Sequence, residues 1–247
     1  MVDAFLRTQM LIGSEALEKL KNSIVAIFGI GGVGSFVAEG LARSGIGSFV
    51  LIDNDIICET NLNRQIHATI KTVGKPKVEV MKERILEINP MAKVESFQIF
   101  YDQKSSEQLI TDDYNYIIDA IDTVTSKIEI ILKAKEKNIP VISSMGMGNK
   151  IYPSMIELED LFNTSICPLA KVMRKELRKR TIDSLKVVYS KEIPIKPLIL
   201  EENHQPEAVS INIKKRQTLG SMSFVPSVAG LLIAAEVVRD IIDFQTF

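Results

Sequence analysis

Two textures alternate along the chain. Short runs rich in β-branched and apolar residues, Ile24–Phe28, Ser48–Ile52, 116–118 and 140–142, each give way to a small or acidic residue (Gly29, Asp53, Asp119, Ser143). Such runs read as strands. The segment 93–100 mixes β-branched with aromatic residues and reads the same way. Between them, apolar residues recur at helical spacing: Val33, Val37 and Leu41 in 33–44, closed by Gly45, and again in 77–88 and 126–137. The order β-α-β-α-β-α-β-α-β predicts a mostly parallel, doubly wound sheet with right-handed crossovers over about residues 20–150. Beyond it, 154–158 and 186–189 read as further strands, 168–180 as a basic helix and 225–242 as a helix returning to the core. The segment 194–218 lacks a regular apolar period and holds Pro194, Pro197 and Pro206, which predicts a loop or partly mobile stretch.

Composition narrows the class. A length of 247 residues, at about 150 per domain, suits one large α/β domain or one domain with a substantial insertion. Hydrophobic residues make up 46%, and 30 cations nearly cancel 31 carboxylates, so disordered and fibrous classes are excluded and any attraction to nucleic acid must be local. Cys58 and Cys167 form no CxxC pair. Neither zinc nor a disulfide framework is expected, and a reducing cytoplasm is the expected compartment. The first ten residues carry Asp3 and Arg7 and lack the apolar stretch of an export signal. The apolar stretch 224–235 contains Pro226 and is soon followed by Glu236, Arg239 and Asp240, well short of the roughly 20 residues that span a bilayer. No membrane association is expected.

The chemistry begins at Gly29-Ile-Gly31-Gly32-Val-Gly34, which follows the first strand and opens a helix, with Asp53 at the tip of the second strand. Glycines let backbone N–H groups approach a phosphate at a helix N-terminus, and a carboxylate at the next strand tip can accept both ribose hydroxyls. This pattern alone leaves NAD, FAD and ATP open. Asn61-Leu-Asn63-Arg64-Gln65, Gly74-Lys75-Pro76-Lys77 and Asp119-Ala-Ile-Asp122 then put an arginine, lysines and a carboxylate on or near loops that follow strands. A dinucleotide needs no such set. A triphosphate attacked at its α-phosphorus does, because cations neutralise developing charge and an aspartate can hold Mg²⁺ bridging phosphate oxygens. Taken singly, Lys77 also reads as a solvated helix-start lysine and Asp122 as a helix cap.

This set resembles the superfamily of ubiquitin-activating enzymes and their bacterial relatives that adenylate sulfur-carrier proteins (the ThiF/MoeB/HesA type), over roughly residues 7–150. The resemblance implies a Rossmann-like α/β fold of the adenylating type. It also implies ATP and Mg²⁺ as cofactors, with Gly29, Gly31, Gly32 and Gly34 as the phosphate loop, Asp53 on the ribose, and Asp55, Asn61, Arg64 and Lys77 completing the nucleotide site. By the same resemblance the catalytic set is Lys77, Arg64, Asp122 and Arg7, with Asp122 next to magnesium. Arg7 is similar to an N-terminal arginine that reaches the neighbouring subunit's ATP, which implies a homodimer. Paired CxxC motifs, catalytic-cysteine domains and ubiquitin-fold domains of other members are missing here. The segments Ser143-Ser-Met-Gly-Met-Gly-Asn-Lys150, Thr164-Ser-Ile-Cys-Pro-Leu-Ala170 and Ser223-Phe-Val-Pro-Ser-Val-Ala-Gly230 instead resemble the tRNA threonylcarbamoyladenosine dehydratase family. On that likeness 1–247 is a single domain, with 20–150 as nucleotide-binding core and 151–247 as a basic, substrate-facing extension and closing helix. The implied activity is ATP-dependent cyclisation of the modified adenosine through an acyl adenylate. An adenylyltransferase of a ubiquitin-like sulfur carrier is the alternative, with an NAD(P)-linked oxidoreductase and a non-catalytic tRNA-binding scaffold behind it. The likeness leaves open a monovalent cation near the site and a sulfur-relay protein partner.

Charge supports an RNA partner independently. Between 171 and 186 stand Lys171, Arg174, Lys175, Arg178, Lys179, Arg180 and Lys186 against Glu176 and Asp183, a local net of +5 in a chain of net −1. Such a patch is an electrostatic handle for a phosphate backbone, although a solvated helix face has the same composition. Lys214-Lys215-Arg216 forms a second patch. A thioester role for Cys167 is not expected, His67 reads as a packing or surface residue, and His204 suggests nothing.

Overall fold

The apolar runs form a sheet because almost all of their side chains find cover. In the computed structural model, which describes residues 4–198 and 219–244, strands β1 (Ile24–Phe28), β2 (Ser48–Ile52), β3 (Lys93–Phe97), β4 (Tyr116–Asp119), β5 (Val141–Ser144), β6 (Ile156–Asp160) and β7 (Lys186–Ser190) make one sheet of order 3-2-1-4-5-7-6. All neighbours are parallel except β6, which runs antiparallel to β7. Successive side chains point to opposite faces. On one face Val25, Ile27, Phe49 and Leu51 pack against helices α2 (Gly34–Ser44), α3 (Lys77–Ile88) and α7 (Phe224–Ile241). On the other Ala26, Phe28, Val50 and Ile52 pack against α5 (Val124–Glu136) and α6 (Pro168–Arg178).

Helix α7 lies tightly on α2: a Cβ placed on Gly230 would stand 2.5 Å from the Val33 carbonyl oxygen, so only glycine permits this approach. The chain leaves β1 toward β2 on one side and has β4 on the other, which opens a crevice at the carboxyl ends of these strands. The glycine-rich loop 29–34, strand-tip carboxylates and cationic loops converge there.

Several boundaries depart from expectation. Helix α1 (Leu6–Lys21), bent at Gly13, had no clear periodic signal because only Leu17 and Leu20 in it are buried. The segment 93–100 leaves the sheet after Phe97, and the basic helix expected over 168–180 ends at Arg178. A short helix α4 (Ser106–Leu109) precedes β4. Of the expected loop 194–218, residues 199–218, with His204, Lys214, Lys215 and Arg216, lie outside the described residues. No helix among the described residues is long and apolar enough to cross a membrane.

Candidate active site

The phosphate loop takes its shape from two glycines. Gly29 has φ +91°, and a Cβ there would stand 2.7 Å from the Ala120 carbonyl oxygen. A Cβ on Gly34 would fall 1.8 Å from the Gly29 carbonyl oxygen, so any side chain would break the turn into α2. Nothing lies within 4 Å of a Cβ built on Gly31, which leaves open space above the loop at the N-terminus of α2. A helix N-terminus with exposed N–H groups suits an anion.

Asp53 at the tip of β2 fixes this loop from below. Its Oδ2 accepts from the Ile30 N–H at 2.7 Å and its Oδ1 from the Asp55 N–H at 2.8 Å. Burial raises its pKa from the ordinary carboxylate value, opposed by the nearby Lys77 charge and the two backbone donors. Lys77 opens α3 with its ammonium largely buried and donates to Asp55 Oδ2 at 2.6 Å, while its backbone N–H bonds to the Asp55 carbonyl at 3.1 Å. Asp55 thus parks the lysine near the loop.

Asn61 is buried at the end of a 3₁₀ turn and its Oδ1 accepts from the Cys58 N–H at 3.1 Å. Arg64, half-buried, donates from Nη1 to the Thr60 carbonyl at 2.7 Å and to Asn63 Oδ1 at 3.0 Å. Burial lowers its pKa from the usual guanidinium value. Its Cδ and the Pro226 ring flank Gly32: a Cβ built there would lie 3.6 Å from the first and 3.2 Å from the second. Asp122 is exposed on the loop between β4 and α5 and accepts from Thr123 Oγ1 at 3.3 Å; Thr123 occupies the N-cap position of α5 with no side-chain cap bond.

Two expected residues lie away from this crevice, Arg7 having been expected at a neighbouring subunit's site. Arg7 is exposed in the first turn of α1. The neighbouring Phe5 ring packs at Gly45, the C-terminal end of α2, about 16 Å of helix away from the phosphate loop. Arg7 is therefore not brought to its own chain's loop. Arg174 departs from the expected RNA-facing set, since its guanidinium turns inward to the Thr164 carbonyl at 2.9 Å and to Thr164 Oγ1. The neighbours stay at the surface: Lys171 and Lys175 are exposed, Arg178 lies 5.2 Å over the Phe162 ring, and Lys179 and Arg180 pair with Glu176.

Sequence reasoning missed a charged pair beneath the site. Lys127, fully buried, donates to Asp119 Oδ2 at 2.9 Å and to Ser143 Oγ at 3.2 Å, and Ser143 donates to the same Asp119 oxygen at 2.6 Å. Asp119 Oδ1 also accepts from the Ile121 N–H at 3.3 Å. The cluster ties the tips of β4 and β5 to the loop that carries Asp122. The one available signal was a lysine in the first turn of a helix, where the helix dipole disfavours it. His67 is buried with neither ring nitrogen hydrogen-bonded. Cys167 is 2% exposed at the start of α6, which withholds its thiol from substrate.

Known proteins resemble this chain over nearly its whole length. The tRNA threonylcarbamoyladenosine dehydratase of Bacillus subtilis is 44% identical over 246 residues, 98% of this chain and 96% of that protein. The tRNA threonylcarbamoyladenosine dehydratase 2 of Saccharomyces cerevisiae is 33% identical over 94% of this chain and 55% of its own length. Among solved structures, the E. coli tRNA N6-threonylcarbamoyladenosine dehydratase in complex with ATP superimposes with a TM-score of 0.86 at 33% identity, covering 97% of this chain and 94% of that one. The ThiF family matches residues 5–246, and the chain belongs to the ThiF family.

Proposed function

We propose that this chain uses ATP to activate the threonine carboxylate of threonylcarbamoyladenosine in tRNA and closes it into a cyclic, dehydrated form. The observation that carries the reading is that likeness to the B. subtilis dehydratase extends over 98% of the chain, beyond the nucleotide core into the region of β6, β7 and α7. ATP lies along Gly29–Gly34 with its ribose at Asp53. A carboxylate oxygen of the substrate attacks the α-phosphorus and displaces pyrophosphate, while Arg64 and Lys77 stabilise the negative charge on the phosphates. A nitrogen of the same carbamoyl-threonine side chain then attacks the acyl carbon and loses its proton. AMP leaves with the former carboxylate oxygen, so the nucleoside loses one water. Ring closure within one held side chain has an effective molarity of about 10⁵ M or more, so excluding water matters more than a strong base.

Magnesium fits the donor chemistry. Asp122 offers an exposed carboxylate, and among the described residues no three His, Cys, Asp or Glu side chains converge. Asp122 would hold such an ion, which would supply charge neutralisation along the phosphates when bound. The exposed cations of α6, Lys171, Lys175 and Arg178, with Lys179 and Arg180 just beyond it, form the tRNA-backbone surface. A homodimer in a reducing cytoplasm completes the reading. Leu6, Met10 and Leu11 expose apolar surface on α1 beside Arg7, a face that a second copy would cover while receiving Arg7 at its triphosphate.

Mass spectrometry of nucleosides from threonylcarbamoyl-modified tRNA incubated with the protein and Mg·ATP tests the reading. Loss of one water with stoichiometric AMP is the expected result. An unchanged nucleoside with a protein that binds ATP would refute it and favour a protein-adenylating enzyme.

A further inference from the structure

The geometry points to Asn63 as a positioning residue that aims the Arg64 guanidinium at the nucleotide, an inference that rests on reading this crevice as the ATP site. Asn63 is not needed to close its own turn, which backbone bonds from the Arg64 and Gln65 N–H groups to the Asn61 carbonyl already close at 3.1 and 3.0 Å. Its exposed side chain works between two distant parts of the chain instead. Asn63 Oδ1 accepts from Arg64 Nη1 at 3.0 Å, and Asn63 Nδ2 donates to the Ser221 carbonyl at 2.9 Å, 158 positions away in sequence.

Ser221 is itself held at the entrance to α7. The neighbouring Gly220 N–H donates to Asn149 Oδ1 at 2.7 Å, and the Asn149 N–H donates to the Gly220 carbonyl at 2.7 Å. A continuous chain of hydrogen bonds therefore runs from the loop after β5, through Gly220 and Ser221, to Asn63 and Arg64. Two acceptors, the Thr60 carbonyl and Asn63 Oδ1, occupy Nη1, and among the described residues Nε and Nη2 have no hydrogen-bond partner. Asn63 thus holds one corner of the planar fork and leaves its other donors for phosphate. An arginine has considerable rotamer freedom to lose on binding, and a partner that fixes the fork beforehand removes part of that loss. The acceptor to the charged group is the stronger of Asn63's two bonds.

The test is a double-mutant cycle on binding of Mg·ATP without tRNA, read by isothermal titration calorimetry on wild type, Asn63→Ala, Arg64→Ala and the double variant. Asn63→Ala is expected to raise the ATP Kd about tenfold, in line with one lost charge-assisted hydrogen bond, with little change in melting temperature because its side chain is exposed. In the Arg64→Ala background the same substitution is expected to change Kd by less than about twofold. An Asn63→Ala Kd within twofold of wild type, or a loss that adds fully to that of Arg64→Ala, overturns the assignment. Failure of the wild type to bind ATP would overturn the nucleotide reading, and the wild-type titration alone reveals it.

Discussion

His67 makes stability depend on pH in a range where few groups titrate. Burial strips its imidazole of water, the charges of Lys77 and Arg84 repel a second proton, and neither nitrogen has a hydrogen-bond partner. Its pKa is lowered from 6.5 to about 4. The folded protein therefore binds fewer protons here than the unfolded chain between about pH 4 and pH 6.5. Stability from this group is intact above that pH, falls as pH drops from 6.5 toward 4, and is lost to its full extent of about 3 kcal/mol below 4. Between pH 8 and pH 5 the loss is about 2 kcal/mol, which for a chain of this size is a fall in Tm of roughly 4–8 °C. His67→Leu removes the titration and keeps an apolar fill; His67→Gln does so while keeping hydrogen-bonding atoms. Thermal unfolding of all three proteins at pH 8, 7, 6 and 5 is the assay. Carboxylates contribute equally to each, so the wild-type curve should steepen relative to both variants below pH 6.5. Parallel curves from pH 8 to 5 would refute the argument.

Four further outcomes follow from the site. Lys77→Ala or Asp122→Ala should abolish ATP-dependent AMP formation with modified tRNA, with Tm nearly unchanged for the exposed Asp122 and lowered for the largely buried Lys77, and wild-type turnover in either would remove that residue from the mechanism. Gly34→Ala must displace the Gly29 carbonyl that lies 1.8 Å from the new Cβ, so calorimetry should show no ATP binding at millimolar concentration. Lys127→Met strands a fully buried Asp119 and should lower unfolding free energy in urea by about 3–5 kcal/mol, whereas adding Asp119→Asn should recover most of it. Lys171→Glu with Lys175→Glu should weaken tRNA binding and reduce its logarithmic salt slope by about 2, with ATP affinity unchanged, as read by fluorescence anisotropy at several salt concentrations.

What was legible in the sequence follows the range over which each signal acts. Strands β1, β2, β4 and β5 declare themselves because they are buried on both faces and so must be apolar throughout. The phosphate loop is legible for a related reason: backbone geometry at Gly29 and Gly34 excludes any Cβ, and that exclusion is written locally as glycine. Helix α1 escaped because most of its surface is exposed, and a helix that buries only Leu17 and Leu20 has no apolar stripe to read. The antiparallel direction of β6 was equally hidden, since five residues of strand pattern do not say which way they run.

Charged residues show the sharper limit. Lys77 opens α3 and Lys127 stands in the first turn of α5, and in sequence both look like solvated lysines. One is held by an Asp55 that keeps contact with water, and the other lies sealed between Asp119 and Ser143. The difference arises only when β4 and β5 become neighbours and bring Asp119 and Ser143 together. Arg174 shows the same limit in reverse: a basic helix face spreads its cations in every direction, and the one that meets Thr164 is chosen by the packing of α6 against the turn before it. Local sequence thus identifies a cationic, glycine-shaped crevice. Which cations pair within the fold, and which uncharged neighbours touch them, as Asn63 touches Arg64, depends on contacts across as many as 158 positions of chain that no local pattern encodes.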